Sequence, residues 1–170
     1  WRCPTITCQK VETDSEKGRV IVRSEMSVGD TLGTLTAEYT LYGDGRLHVR
    51  ESMKSDTALM IFRYGMRMRL CNKFNRVSYY GRGPIENYAD RKESAFVGYY
   101  TQSVDELFYP YIRPQENGNH TDVRYWTLHG EMGKDLNVLA DEELLSGSTL
   151  RYSQETLDDG EEKHQRHSEL

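Results

Sequence analysis

The chain has 170 residues, is 36% hydrophobic, and carries a formal net charge of −5 from 22 basic and 27 acidic side chains. This length suits one substantial core, so we predict a single domain over residues 1–170. Because both signs of charge are mixed along the sequence and the apolar runs are only a few residues long, we expect neither a nucleic-acid groove nor a membrane-spanning helix.

The chain begins at Trp1 without a starting Met and has no signal-peptide pattern, so we expect a piece of a longer polypeptide. Three cysteines, Cys3, Cys8 and Cys71, lack the CxxC spacing of a zinc site. They are interpreted as buried free thiols, with a disulfide between Cys3 and Cys8 as the alternative.

The first half of the sequence alternates apolar and polar residues with a period of two, which is typical of strands with one buried face. Residues 19–26 form one predicted strand, entered through a turn at Lys17-Gly18. Residues 34–42 and 46–53 form two more, and Gly43-Asp44-Gly45 between them favours a tight reversal. The pattern predicts an antiparallel hairpin over 34–53.

Further strands are predicted at 61–71, 77–80 and 122–128. Helical signals are few, since the Ser103–Glu106 capping box supports only a turn or two and Ser153 caps a short helix from Gln154. The sequence therefore predicts an all-β, antiparallel sandwich.

Two segments combine glycine, proline, amides and charge more densely than a sheet connection requires. They read YYGRGPIENYADR over 79–91 and YPYIRPQENGNHTDVR over 109–124. As a binding surface, the aromatic rings would cover the apolar faces of a sugar while the polar groups bond its hydroxyls. As a structural device, Arg113 and Arg124 would neutralise Glu86 or Glu116 within a closed network. The residues alone favour the structural interpretation without deciding between the two.

Catalytic and metal-binding interpretations have less support in the residues. Glu86 and Glu116 could form a glycosidase pair, but neighbouring arginines would hold both ionised, whereas an acid catalyst keeps its proton. His120 beside Asp122 could be an acid/base unit, although a structural histidine is the commoner case. His164 and His167 have the spacing of a shared helical face but no third ligand follows, so no metal site is predicted.

The two segments resemble signature stretches of the small-chain region of family 2 glycoside hydrolase β-galactosidases. The resemblance extends to Phe62-Arg63-Tyr64-Gly65, to Arg151-Tyr152-Ser153, and to His164 and His167, and it keeps order and spacing from about residue 62 to 170. Residues 1–61 agree only as a pattern of strands.

The resemblance implies an antiparallel, galactose-mutarotase-like supersandwich, incomplete at both ends, from the C-terminal part of a soluble bacterial enzyme in the cytoplasm or periplasm. Such enzymes hydrolyse terminal β-galactosides such as lactose with retention, using two glutamates and magnesium held in a separate barrel. No catalytic role transfers to this chain, and no cofactor is expected in it. The candidate site residues, interpreted as structural or carbohydrate-facing, are Arg63, Glu86, Asn87, Asp90, Arg91, Glu116, Asn117, His120 and Arg124.

Three functions follow as hypotheses. The first is an inactive domain whose partners are the other domains of a β-galactosidase and, through them, its galactoside. The second is a carbohydrate-binding module that uses Tyr88 and Tyr111, and the third is an aldose epimerase that uses His120. Unpaired strand edges also predict a tendency to form homo-oligomers.

Overall fold

The computed structural model describes residues 4–29, 32–55, 63–112 and 115–157. These ranges consist mainly of antiparallel β-strands, which confirms the predicted all-β fold class. The chain divides into two compact units, Trp1–Met66 and Arg67–Leu170, and each is described by itself. The single domain expected over residues 1–170 stays a prediction.

The first unit is a four-stranded antiparallel sheet in which each strand pairs with the next along the chain. Its strands are β1 (Ile6–Glu16), β2 (Arg19–Val28), β3 (Gly33–Tyr42) and β4 (Leu47–Lys54). The β3–β4 hairpin and the strand after Gly18 are confirmed, and β1 is a further strand that was not predicted from the sequence.

The two faces of this sheet differ in character, as the period of two requires. On one face, Glu12, Arg23, Glu38 and Arg50 lie opposite one another across the four strands, so their charges alternate in sign. Cross-strand pairs of opposite charge favour this register over a slipped one. The other face is apolar and carries Val20, Val22, Leu35, Tyr39, Leu41, Leu47 and Val49.

The predicted strand over 61–71 is wrong for the part that the structure describes. Residues 63–71 have no regular secondary structure, and residues 61–62 lie outside the described ranges. The alternating apolar side chains Tyr64, Met66, Met68 and Leu70 all remain exposed. Alternation marks a face that could be buried, but a strand also needs a partner for its backbone, and none of the described strands pairs with this segment.

The second unit holds a four-stranded sheet, in the order β6-β5-β8-β9, and a two-stranded sheet of β7 and β10. The elements are β5 (Arg76–Gly83), β6 (Phe96–Ser103), β7 (His120–Val123), β8 (Tyr125–His129), a single 3-10 turn (Glu131–Gly133), β9 (Leu136–Leu139), β10 (Leu145–Gly147) and α1 (Gln154–Leu157). Strands β6, β9 and β10 had not been assigned from the sequence.

The core of this unit lies between its two sheets. Tyr79 stacks on Trp126 at 4.8 Å between ring centroids, and both are packed with Val77, Val123 and Leu128. Strand β5 approaches β7 closely at Gly81, where an added Cβ would lie 2.8 Å from Val123 Cγ2. A core packed in this way holds the ends of β5 and β7 in fixed positions.

The predicted strand over 122–128 is divided in two at Arg124. Asp122 has a φ of 54°, and the Arg124 amide donates to the Tyr80 carbonyl at 2.8 Å. The left-handed residue turns the chain from the two-stranded sheet into the four-stranded one, and period-two alternation gives no sign of such a turn.

Both helix-start signals are confirmed. The Glu106 amide donates to Ser103 Oγ at 3.2 Å while the Ser103 amide donates to Glu106 Oε2 at 2.7 Å, which closes a capping box over one turn.

The thiol prediction is half right, because Cys8 and Cys71 are free but exposed rather than buried. Cys3 lies outside the described residues.

Candidate functional site

The two segments singled out from the sequence meet at one end of the second unit. The first loop (residues 84–91) follows β5, and the second loop (residues 109–119) precedes β7. Since β5 and β7 pack together, the two loops start from neighbouring positions, and the Asn87 amide donates to the Asn119 carbonyl at 2.7 Å. Residues 113–114 of the second loop lie outside the described ranges.

Asn87 connects the first loop to β7 and is fully buried. Its Nδ2 donates to the carbonyls of Arg82 and Ile85, each at 3.0 Å. Its Oδ1 accepts from the Thr121 amide at 2.9 Å and from Thr121 Oγ1 at 2.6 Å, while Asn119 Nδ2 donates to the Asn87 carbonyl at 2.7 Å. The side chain therefore donates two hydrogen bonds and accepts two, so no donor or acceptor of Asn87 remains for a ligand.

Glu86 is the centre of the second group of contacts. Its Oε1 accepts from the Tyr111 hydroxyl and from Arg91 Nη2 at 2.8 Å, and its Oε2 accepts from the Gly118 amide at 2.7 Å. The carboxylate thus joins the two loops, with its side chain 14% exposed.

The electrostatics of Glu86 do not suit a general acid. Burial alone would raise the pKa of its carboxyl, but hydrogen bonds from Tyr111, the Gly118 amide and Arg91 together hold that pKa below its ordinary value. The side chain is therefore an anion near neutral pH. A glycosidase acid needs the opposite shift, so the structure disfavours this role for Glu86.

The cation beside Glu86 differs from the one expected. Arg91 supplies the ion pair at 2.8 Å, five residues along the same loop. Arg124 instead donates to the Asp122 carbonyl at 2.6 Å and lies over the Tyr80 ring. Arg113 lies outside the described residues.

The second loop is shaped by Asn117 and Gly118, both buried. Asn117 Oδ1 accepts from the Tyr109 amide at 3.0 Å, and its Nδ2 donates to the Gln115 carbonyl at 3.0 Å. Gly118 has a φ of 70°, and a Cβ there would lie 2.4 Å from the Leu107 carbonyl oxygen. Only glycine fits this position, and its amide is the one that reaches Glu86.

A cleft of about 430 Å³ opens between the two loops and the short helix. Tyrosine rings, amides and charges line it, namely Glu86, Tyr88, Arg91, Tyr111, Gln115, Glu116 and Gln154. Glu86 and Glu116, the two candidate catalytic carboxylates, thus both line this cleft. Glu86, however, forms an ion pair with Arg91. The cleft has the composition of a site for a small polar ligand.

The remaining candidate residues are dispersed. Asp90 is exposed in the tight turn that pairs Tyr88 with Arg91. Arg63 is exposed and belongs to the first unit. Arg82 is not among the candidates predicted from the sequence, but its Nε donates to Asp122 Oδ2 at 2.5 Å and its Nη1 donates to the Ala95 carbonyl at 2.9 Å.

His120 lies in the core rather than in the cleft and is 1% exposed. Its Nδ1 lies 3.0 Å from the Arg82 carbonyl and 3.1 Å from the Tyr79 hydroxyl. Because a carbonyl oxygen only accepts, the proton of the neutral ring belongs on Nδ1. The expected acid/base unit is not formed, since Asp122 pairs with Arg82 and Lys92.

The burial of His120 predicts a loss of stability in mild acid. Desolvation lowers the pKa of the buried imidazole below its ordinary value of 6.5. As the pH falls through 6.5, His120 becomes protonated in the unfolded chain but stays neutral in the folded chain. The free energy of unfolding, which has its full value above that pH, therefore declines. Urea unfolding between about pH 7 and about pH 5 should show this decline, and His120→Gln should reduce its slope. An equal slope in the wild type and in His120→Gln would show that His120 does not cause the decline.

Two further properties concern the described residues alone. They contain no group of three or more His, Cys, Asp or Glu side chains arranged to hold a metal ion. No helix within the described ranges is long and apolar enough to cross a membrane. The predicted pair His164 and His167 lies outside these ranges.

The chain is thus an antiparallel all-β protein, and its second unit has a polar, tyrosine-containing cleft at one end of its strands. Comparison with known families matches residues 2–169 to the family described as β-galactosidase small chain. The chain belongs to this family.

Curated relatives agree with the family match. The chain is 38% identical over 137 residues to a β-galactosidase of Priestia megaterium, covering 79% of this chain and 13% of the relative. It is 40% identical over 121 residues to a β-galactosidase of Vibrio cholerae, covering 71% and 11%. For a β-galactosidase of Lactobacillus delbrueckii subsp. bulgaricus the identity is 34% over 154 residues, covering 89% and 15%. The chain thus corresponds to a small part of each relative's length.

Proposed function

We propose that this chain is a non-catalytic domain of a β-galactosidase that hydrolyses terminal non-reducing β-D-galactose residues with retention. In this proposal its two loops form a rigid wall beside a galactoside pocket. The reacting glutamates and the magnesium site belong to other domains of the polypeptide, which are its partners, and a homo-oligomer remains compatible with the proposal.

The state of Glu86 carries this proposal. A carboxylate that accepts from Tyr111, Arg91 and the Gly118 amide has its hydrogen-bonding capacity directed into the protein. Such an anion is suited to holding two loops together, because removing any partner would leave charge poorly compensated in a half-buried place. It is poorly suited to protonating a leaving group.

The first test is turnover by the chain alone. We expect no release of o-nitrophenol from o-nitrophenyl β-D-galactopyranoside above the buffer rate, while a cooperative thermal transition shows that the assayed protein is folded. Hydrolysis that persists through repurification and is lost in Glu86→Gln or Glu116→Gln would overturn the proposal.

A second function, carbohydrate binding by the chain itself, is favoured by the composition of the cleft. Tyr88 and Tyr111 offer ring faces, and Gln115 and Gln154 offer amides beside them. Calorimetric titration with galactose and lactose tests this function. Saturable binding that is lost in Tyr88→Ala and kept in Tyr80→Ala, a tyrosine outside the cleft, would support it, and absence of heat would reject it. The epimerase alternative is disfavoured because His120 lies in the core.

A further inference from the structure

A serine, a histidine and an aspartate form a chain of hydrogen bonds away from the two loops. Ser78 lies in β5, His129 ends β8, and Asp135 directly precedes β9. Ser78 Oγ lies 2.8 Å from His129 Nε2, and His129 Nδ1 lies 2.9 Å from Asp135 Oδ2. The register of the sheet brings the three residues together, although they are separated by up to 57 positions in sequence.

The partners fix the direction of each hydrogen bond. An ionised carboxylate only accepts, so His129 Nδ1 carries the proton that it donates to Asp135. When the ring is neutral, Nε2 has a lone pair, and Ser78 then donates its hydroxyl proton to it. This is the polarity of a serine nucleophile, its general base and the group that orients the base.

The surroundings of Ser78 include a second hydroxyl group. Thr101 Oγ1 lies 2.8 Å from Ser78 Oγ across the β5–β6 pair. With the Ser78 proton directed to His129, Thr101 is left as the donor to Ser78 Oγ. Ser78 itself is buried, with 4% of its surface exposed. A reagent that reaches this serine must therefore be small.

We propose that Ser78, His129 and Asp135 form a nucleophilic triad that accepts small acyl groups from activated esters, independently of any glycosidase function. Ser78 Oγ bonds to the acyl carbon as its proton passes to His129 Nε2 and the carbonyl electron pair moves onto oxygen. The tetrahedral intermediate collapses, the bond to the leaving alcohol breaks, and that alcohol takes the proton from Nε2. Water repeats the sequence, which releases the carboxylic acid and restores Ser78.

The test uses the protein with every domain of its polypeptide retained. Release of p-nitrophenolate from p-nitrophenyl acetate is measured for the wild type and for Ser78→Ala, whose rate is subtracted as background. Asp135→Asn is the informative variant, because an amide that donates to Nδ1 would place the ring proton on Nε2 and leave Ser78 without a base. We expect the background-corrected rate to fall by about 100-fold or more in Asp135→Asn. Glu131→Gln, a nearby exposed acid outside the triad, should retain the wild-type rate.

A fluorophosphonate probe, which loses fluoride to a reactive serine, locates the nucleophile. Peptide mapping should find the adduct on Ser78 in the wild type and strongly reduced labelling in Asp135→Asn. Because Asp135 is a surface residue, this variant remains informative even if Ser78→Ala does not fold. An unmodified Ser78 peptide, or equal labelling in the wild type and Asp135→Asn, would show that the three residues form only a structural hydrogen-bond network and would overturn the proposal.

Discussion

Replacing Asn87 by alanine is expected to lower the free energy of unfolding by about 3 kcal/mol or more. The variant would remove the hydrogen bonds of the Asn87 side chain to the Thr121 amide and hydroxyl and to the carbonyls of Arg82 and Ile85, of which only the Arg82 carbonyl keeps a second contact, with His120 Nδ1. Each buried polar group left without a partner costs about 1–3 kcal/mol, and a cavity the size of an amide cannot rebuild all four bonds with water. Urea unfolding followed by circular dichroism measures the loss.

A matched control for this prediction is Asn72→Ala. The same side chain is removed there from an exposed position. The expected change is within about 0.5 kcal/mol, as for most surface substitutions. If both variants unfolded at the same urea concentration as the wild type, the buried network would not be what holds the first loop to β7.

The second large effect is expected for Gly118→Ala. The added Cβ would lie 2.4 Å from the Leu107 carbonyl oxygen, on a residue with a φ of 70°. The clash and the left-handed backbone together should cost about 3 kcal/mol or more. Because the Gly118 amide donates to Glu86 Oε2, a shifted loop would also weaken the contact between the two loops.

Gly133→Ala separates the cost of the steric clash from the cost of the left-handed backbone. Gly133 has nearly the same φ, 69°, but nothing lies within 4 Å of an added Cβ. We expect only the backbone cost there, about 1–2 kcal/mol. Thermal or urea unfolding of both variants gives the comparison, and equal losses would show that the Leu107 carbonyl moves aside without cost.

Local alternation allowed the hairpin of β3 and β4 to be predicted from the sequence. Leu35, Tyr39 and Leu41 mark one face, and the Gly43-Asp44-Gly45 turn fixes how the chain returns. The same rule failed for residues 63–71, because alternation describes a strand's faces and not whether a neighbouring strand exists. It also missed β6 (Phe96–Ser103), where Gly98 and consecutive tyrosines obscure the period of two.

The two loops of the site were predicted from their unusual density of glycine, proline, amide and charged residues, but the contacts between their side chains were not. Arg91 rather than Arg124 pairs with Glu86, because a two-residue turn places it beside that carboxylate. The burial of His120 follows from its position on β7, facing Tyr79 and Trp126, which neighbouring residues in the sequence do not reveal. The Ser78–His129–Asp135 chain likewise depends on strand register, a long-range property.

The central claim, that Glu86 holds loops together and takes no part in bond breaking, is tested most directly in the complete polypeptide. The pH dependence of kcat/KM for a chromogenic galactoside is compared between the wild type and Glu86→Gln. We expect a loss of less than about tenfold and an unchanged bell shape, because a positioning residue does not titrate in the reaction. A loss of about 1,000-fold or more, together with the disappearance of one limb of the profile, would contradict the account.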